Sequence, residues 1–248
     1  MTSTGIYEND IRCRIFYHTN SNCNHTLHNE QKPGLAIVPD VNKIDHPLCE
    51  HLLGQLRRIE TPPSQFRLVA HQLTQFLAIE ATRSLATRRI KITTPVANTE
   101  AKEIAQKIGI FPILRAGLAM SDPLLDLIPT ACIFHLGMYR DEATATPVEY
   151  YSKLHESQPV DIAFIVDPML ATGGSALLAI DAVKRWGVKH ISMLSLIASR
   201  DGVEAVVNAH PDVALYTCAI DPVLNANKYI VPGLGDAGDR VFNTIPNE

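Results

Sequence analysis

The sequence predicts an α/β protein with a doubly wound, mostly parallel sheet. Two observations lead to this fold class. Four short apolar runs lack the polar alternation of a half-exposed strand, and such continuity is typical of parallel strands that are buried on both faces. Helical segments follow three of these runs, which is the order that a parallel sheet requires. The runs cover residues 108–114, 162–166, 191–198 and 213–219.

The helices are predicted from apolar spacing. A first helix covers residues 62–82, because apolar side chains recur there every three or four residues and prolines with Ser64 mark its start. Three further helices follow successive strands, over residues 117–127, 175–186 and 203–209. Gly187 comes directly after Trp186, as is typical of the residue that ends a helix.

The chain divides into an N-terminal extension and one larger domain. Residues 1–34 are rich in Asn, His and Thr and show neither a helical nor a strand period, so we predict a flexible extension. Residues 35–248 are predicted to form a single catalytic domain. Cys23, His25 and His28 are metal-ligand types, but no second pair follows at zinc-site spacing, so no metal site is predicted there.

Composition excludes several classes of protein. The 248 residues carry 22 Lys plus Arg against 26 Asp plus Glu, so the surface lacks the basic field of many nucleic-acid binders and any anion site is local. No stretch approaches the roughly 20 apolar residues of a membrane-spanning helix. Glu8 and Asp10 interrupt the position of a secretory signal, and five irregularly spaced cysteines suit reduced thiols. We expect a cytoplasmic protein that binds neither nucleic acid nor membranes.

The turn at residues 164–178, F-I-V-D-P-M-L-A-T-G-G-S-A-L-L, is the most informative segment. Asp167 follows an apolar strand, and residues 172–175 (T-G-G-S) open the next helix. Two glycines allow backbone amides to converge on a ligand, and the helix N-terminus adds positive potential, so the turn suits a phosphomonoester. The Asp167 carboxylate is suited to accept hydrogen bonds from the hydroxyl groups of a sugar. The leading Gly and the Lys of a Walker P-loop are missing, and a helix-capping turn without a ligand is the alternative.

A second glycine-rich turn covers residues 229–240, Y-I-V-P-G-L-G-D-A-G-D-R. It matches G-x-G-x-x-G literally, but only ten residues follow Gly238, too few for the βαβ unit of a dinucleotide site. Its backbone groups and the acids Asp236 and Asp239 can instead form a flat pocket for a planar base. A structural Pro-Gly loop explains the pattern equally well.

Two arginines follow apolar runs at the same edge of the predicted sheet. Arg115 lies in the turn R-A-G-L, and Arg140 lies in G-M-Y-R-D. Guanidinium groups at such positions match phosphate or diphosphate oxygens. Each arginine taken singly suits a surface ion pair equally well.

Four motifs in this order closely resemble the uracil phosphoribosyltransferase family. They are ILRAG (113–117), MYRDEATATPVEYYSKL (138–154), VDPMLATGGS (166–175) and YIVPGLGDAGDR (229–240), and the similarity covers residues 37–244. The resemblance implies a type I phosphoribosyltransferase fold with a β-hairpin hood. It also implies a pentosyltransferase of pyrimidine salvage, which converts uracil and 5-phosphoribosyl-1-diphosphate (PRPP) into UMP and diphosphate.

The resemblance also implies roles for individual residues. The catalytic group would be Asp167, Arg115, Arg140 and Asp236. The PRPP contacts would be these four with Pro168, Met169, Leu170, Ala171, Thr172, Gly173, Gly174 and Ser175. Uracil would contact Ile230, Gly235, Asp236 and Ala237. Residues 139–154 would be a mobile hairpin that closes the site. Mg²⁺ would bind mainly through PRPP, GTP is a candidate activator, and a homodimer or homotetramer is expected.

Several positions depart from the family pattern without removing an assigned residue, and they bear on effector response rather than on the reaction. They are Leu52, Ala119, Ser199-Arg200 and Asn227-Lys228.

Two rival functions stay open. One is a catalytically weak regulator that senses uridine nucleotides and binds RNA, which the net charge of −4 does not favour. The other is transfer to orotate, whose carboxylate requires a cation such as Lys228 or Arg240.

Overall fold

The computed structural model describes residues 41–140, 147–151, 154 and 158–244. Its strands are β1 (Val41–Lys43), β2 (Thr87–Thr93), β3 (Asn98–Ile104), β4 (Ile108–Leu114), β5 (Cys132–Ile133), β6 (Leu136–Arg140), β7 (Pro147–Tyr151), β8 (Ile162–Val166), β9 (Met169–Leu170), β10 (His190–Ser199), β11 (Ala214–Asp221), β12 (Val223–Leu224) and β13 (Ile230–Val231). Its helices are α1 (Pro47–Arg57), α2 (Pro63–Ala81), α3 (Ser121–Leu127), α4 (Gly174–Trp186), α5 (Arg200–Ala209) and α6 (Ala237–Phe242). None of the helices described is long and apolar enough to cross a membrane.

One sheet organises the described part of the chain. Its order is β1-β11-β10-β8-β4-β6-β7, with β5 beside β4 and β9 beside β10. Every pair in this sheet is parallel except β6 with β7. Helices α1, α2, α3 and α6 pack on one face, and α4 and α5 pack on the other. The predicted doubly wound, mostly parallel sheet is confirmed.

The central strands form because their side chains are apolar on both faces. In β8, residues 163–166 are buried, and β4 is buried along almost its whole length. Burial of such strands contributes about 25 cal/mol per Å² of apolar surface removed from water. The helix predicted over residues 175–186 is confirmed as α4, and Gly187 ends it at φ 111°, a conformation that glycine adopts without a Cβ clash.

The prediction of one helix over residues 117–127 is wrong. The segment is a 3₁₀ turn, Ala116–Met120, followed by the short helix α3. Pro123 explains the division, because it has no N–H to continue an α-helical ladder from the preceding turn and is tolerated only near a helix start. The turn places Gly117 against the carboxyl end of β8, where an added Cβ would collide with the carbonyl oxygen of Val166.

Two parts of the sequence-based expectations fall wholly or partly outside the described residues. The extension, with Cys23, His25 and His28, lies outside them. The proposed hood is described only as two antiparallel strands, β6 and β7, since residues 141–146 and 152–153 are outside the description. Its mobility therefore stays a prediction.

Candidate active site

The site is built where β8 ends, and Asp167 is its central residue. The backbone N–H of Asp167 donates to the carbonyl of Leu194 in β10 (3.2 Å), so the residue still follows the sheet. The next residues form β9, which pairs with Ile197 and Ala198 at the end of β10. The predicted loop after β8 is therefore fixed to the neighbouring strand along its backbone.

Burial raises the pKa of the Asp167 carboxyl to about 7, a shift that the hydrogen bond from the Met169 N–H (3.4 Å) opposes and the negative charge of Asp236 increases. Asp167 is half-buried. Perturbed carboxyls of this kind cluster at functional sites. The charge of Asp236, which comes from a distant part of the chain, is the weakest of these three influences on Asp167.

The N-terminus of α4 has the features expected of an anion site. Gly173 precedes the helix at φ 83°, and no side chain caps the first turn. Within the described residues, the hydroxyls of Thr172 and Ser175 take part in no intramolecular hydrogen bond, so they do not act as caps. The backbone amides of this turn thus retain their capacity for an external acceptor.

Helix α5 packs against the loop between β9 and α4. An added Cβ on Gly173 would lie 3.0 Å from the Cβ of Ala205, and one on Gly202 would collide with the carbonyl oxygens of Leu170 and Ala171. The Ser199 hydroxyl donates to the Ala171 carbonyl (2.5 Å) and accepts from the Gly202 N–H (2.9 Å). The sequence analysis missed this support, although Ser before R-D-G at a strand-to-helix junction is the pattern of a helix N-cap.

Arg115 follows β4 and reaches the last helix. Its Nη2 lies 3.6 Å from Oδ1 of Asp239, and its guanidinium lies 6.0 Å from the ring centre of Phe242. The Arg115 side chain remains 63% exposed, so this long ion pair leaves donors available to a ligand. Arg140 is the last residue of β6, opposite Pro147, and its backbone position is all that the structure describes.

The loop from β13 to α6 brings the predicted base-binding residues together. Ile230 and Ala237 are buried, whereas Gly235 and Asp236 are exposed. Gly235 has φ 80°, and the Asp236 carboxylate caps α6 by accepting from the Asp239 N–H (2.9 Å). Gly238 lies inside α6, the last element described, so the G-x-G-x-x-G match does not open a βαβ unit.

Comparison with known proteins agrees with this arrangement. The family model for uracil phosphoribosyltransferase matches residues 43–244. The chain belongs to the uracil phosphoribosyltransferase family. The uracil phosphoribosyltransferase of Roseiflexus sp. (strain RS-1) is 52% identical over 199 residues, which cover 80% of this chain and 96% of that protein. The one from Streptococcus suis (strain 05ZYH33) is 48% identical over 202 residues, covering 81% and 97%.

A solved structure of a protein from Aquifex aeolicus superposes with a TM-score of 0.77 at 30% identity, covering 82% of this chain and 97% of that one. The family match and the mostly parallel sheet confirm the type I phosphoribosyltransferase fold that the resemblance implied. The regulatory alternative finds no support in these relatives.

Proposed function

We propose that this member of the family transfers the phosphoribosyl group of PRPP to uracil, which yields UMP and diphosphate. The observation that carries the proposal is the position of Asp167 in the loop that leads from the end of β8 to the N-terminus of α4, which no side chain caps. The matched region includes Asp167 and Asp236, and the relatives from Roseiflexus and Streptococcus are named for this activity.

In this proposal the loop after β8 binds the phosphorylated sugar. The amides and hydroxyls of residues 172–175 hold the 5′-phosphate, residues 168–171 line the ribose, and Asp167 binds ribose hydroxyls. The 5′-phosphate lies away from the reacting bond, so its binding energy positions the ring for attack.

Cleavage of the anomeric C–O bond separates charge, with positive charge on the ribose ring and negative charge on the departing diphosphate. The Asp167 carboxylate stabilises the ring, and Arg115 and Arg140 bind the leaving group. Mg²⁺, when bound, neutralises diphosphate oxygens. The ion would be held mainly by PRPP, and Asp236 would lie near this cosubstrate.

Uracil binds to the loop from β13 to α6 through Ile230, Gly235, Asp236 and Ala237. Backbone N–H and C=O groups suit a planar base edge with alternating donors and acceptors, because their positions are fixed by the fold. The attacking ring nitrogen loses its proton to a backbone carbonyl, a water molecule or Asp236.

The structure already engages one of the two candidate cations for binding the carboxylate of orotate. The Arg240 guanidinium already donates to the carbonyls of Leu56 (2.8 Å) and Leu234 (2.7 Å) and lies 4.4 Å from the ring centre of Phe66. It therefore has few donors left for the carboxylate of orotate. Lys228 is exposed in the turn between β12 and β13, and is the one remaining cation of the two that the sequence offered.

Diphosphate release, measured with uracil, orotate, hypoxanthine or no base, tests the proposal. We expect PRPP-dependent release with uracil and little with the other three. Release with orotate at an equal or higher rate would overturn the choice of base, and no release with any base would overturn the activity.

Arg140→Gln should chiefly impair the use of PRPP, because the side chain is assigned to the diphosphate. We expect the KM for PRPP to rise about tenfold or more, as for loss of a charge-assisted contact. Arg83→Gln serves as the control, since Arg83 is exposed and pairs with Glu80 on the same helix end. Saturation by PRPP at the concentrations that saturate the original protein would remove Arg140 from the site.

The remaining parts of the proposal come from the sequence and the family resemblance. They are closure of the site by residues 139–154, activation by GTP, assembly as a homodimer or homotetramer, and a cytoplasmic location. Cys49, Cys132 and Cys218 are free thiols in the described region, which suits the proposed compartment.

A further inference from the structure

An ion pair at the end of β11 contacts the base-binding loop. Arg57 is the last residue of α1, and Asp221 is the last residue of β11. The Arg57 guanidinium donates from Nη1 to Oδ2 and from Nη2 to Oδ1 of Asp221, both at 2.7 Å. The Asp221 side chain is only 6% exposed, so this two-point pair is largely removed from water.

The same two side chains bind both backbone polar groups of Gly233. Asp221 Oδ2 accepts from the Gly233 N–H (2.9 Å), and Arg57 Nη1 donates to the Gly233 carbonyl (2.7 Å). Gly233 has φ 59°, and an added Cβ would collide with the Ile230 carbonyl, so the turn from Ile230 to Gly233 is tight. The pair therefore fixes the loop two residues before Gly235.

Arg240 fixes the next residue of the loop to the same end of α1. Besides its bonds to Leu234 and Leu56, its Nη2 donates to the Arg58 carbonyl (2.6 Å). Residues 56–58 thus hold two successive loop residues, Gly233 directly through Arg57 and Leu234 through Arg240. This fixed backbone leads straight into the residues assigned to uracil.

Recognition through backbone groups depends on where the backbone lies. A side chain can adjust its rotamer to a ligand, whereas backbone donors and acceptors move only with the loop. An ion pair whose carboxylate accepts from the N–H of one residue and whose guanidinium donates to its C=O restrains the position and the orientation of that residue. The exposed pair Arg83–Glu80 has similar two-point geometry (2.9 and 2.6 Å) but lies within one helix end and restrains no loop.

We propose that Arg57 and Asp221 are positioning residues that set the backbone of the uracil-binding loop and so control uracil affinity and base selection without touching the substrate. This inference rests on the proposed function for its kinetic consequence. Its structural consequence, a loop held in place by the pair, is measurable without turnover.

The test uses Arg57→Lys, which keeps the charge but loses the fork, and Asp221→Asn, which keeps the shape but loses the charge. Arg83→Lys is the matched control. For each protein we would measure the KM for uracil, the KM for PRPP, kcat, and amide hydrogen exchange. We expect the KM for uracil to rise about tenfold or more, with the KM for PRPP and kcat within about threefold. Exchange should accelerate at residues 234–237 and stay unchanged at residues 174–178, and the control should match the original protein.

The double variant adds a second criterion. Because the two side chains act as one unit, Arg57→Lys with Asp221→Asn should raise the KM for uracil little more than the worse single change. If Asp221→Asn does not fold, the kinetics and exchange of Arg57→Lys alone test the inference. That variant should fold, because the introduced lysine would still place a cation beside the buried Asp221 carboxylate.

Equal losses in both KM values, with faster exchange throughout the domain, would overturn the inference in favour of a general structural role. A KM for uracil within twofold of the original and unchanged exchange at residues 234–237 would overturn it as well. If the original protein shows no transfer to uracil, the proposed function fails, and the exchange of residues 234–237 alone then supports or overturns the positioning role.

Discussion

Asp167→Asn is expected to lower kcat by roughly 10²–10³-fold, the usual cost of removing a group that stabilises transition-state charge. The amide has nearly the same shape, so the loop and the sheet should be retained. The original protein should show kcat/KM rising with pH through about 7, because burial raises the pKa of Asp167 to about 7 and the ionised form is the active one. The variant should lack this rise. Turnover of both proteins, measured from pH 5.5 to 9, checks the result.

The same substitution should stabilise the fold at neutral and alkaline pH. The Asp167 pKa is about 7 when folded against 3.8 as the ordinary value, so the folded state binds the proton more tightly. The free energy of unfolding of the original protein therefore falls between about pH 4 and 7 and is level above that range. At pH 8 the variant should be more stable by roughly 1–4 kcal/mol. Unchanged turnover, or a variant less stable at pH 8 than at pH 5 relative to the original, would contradict the assigned role.

Gly202→Ala should disable PRPP use from a position outside the substrate cleft. The new Cβ would collide with the carbonyl oxygens of Leu170 and Ala171, which are backbone atoms, so the loop after β8 has to shift. A displacement of about 1 Å in a positioning element can cost about 10²-fold in rate, and we expect kcat/KM for PRPP to fall roughly 10–100-fold. Overpacking of this kind also costs roughly 1–3 kcal/mol of stability. Steady-state kinetics and thermal unfolding measure the two effects.

Gly54→Ala is the matched control for that variant. Gly54 lies in α1, and an added Cβ there has no heavy atom within 4 Å. The substitution should therefore stabilise the helix by about 0.5–1 kcal/mol and leave kcat/KM for PRPP unchanged. Equal kinetics for Gly202→Ala and Gly54→Ala would show that the loop does not depend on its contact with α5.

The central fold was predictable because its buried strands and helices have characteristic patterns of apolar residues within short segments of the sequence. Strands β4 and β8 are apolar on both faces, and α4 repeats its buried side chains every three or four residues. The hairpin of β2 and β3 has no such apolar pattern, because its strands T-R-R-I-K-I-T and N-T-E-A-K-E-I are mostly exposed. Helix α1 carries a usable signal, Pro47 after the capping His46 with buried residues at helical spacing, but Gly54 interrupts it.

The candidate site was predictable to the extent that it is made of local turns. Asp167 and the glycines after it lie in one continuous segment, and their residue types alone predict a site for a phosphorylated sugar. The pairing of Arg57 with Asp221 joins residues 164 positions apart and has no local pattern, so only the fold reveals it. The hydrogen bond from Ser199 to Ala171 likewise joins residues 28 positions apart.

A crystal structure with bound UMP tests the central claim most directly, because this one ligand carries both the 5′-phosphate and the base. We predict the phosphate at the amides of residues 172–175, the ribose hydroxyls at Asp167, and the uracil ring against residues 230–237. Electron density for UMP at another surface, with the cleft beside Asp167 unoccupied, would contradict the account.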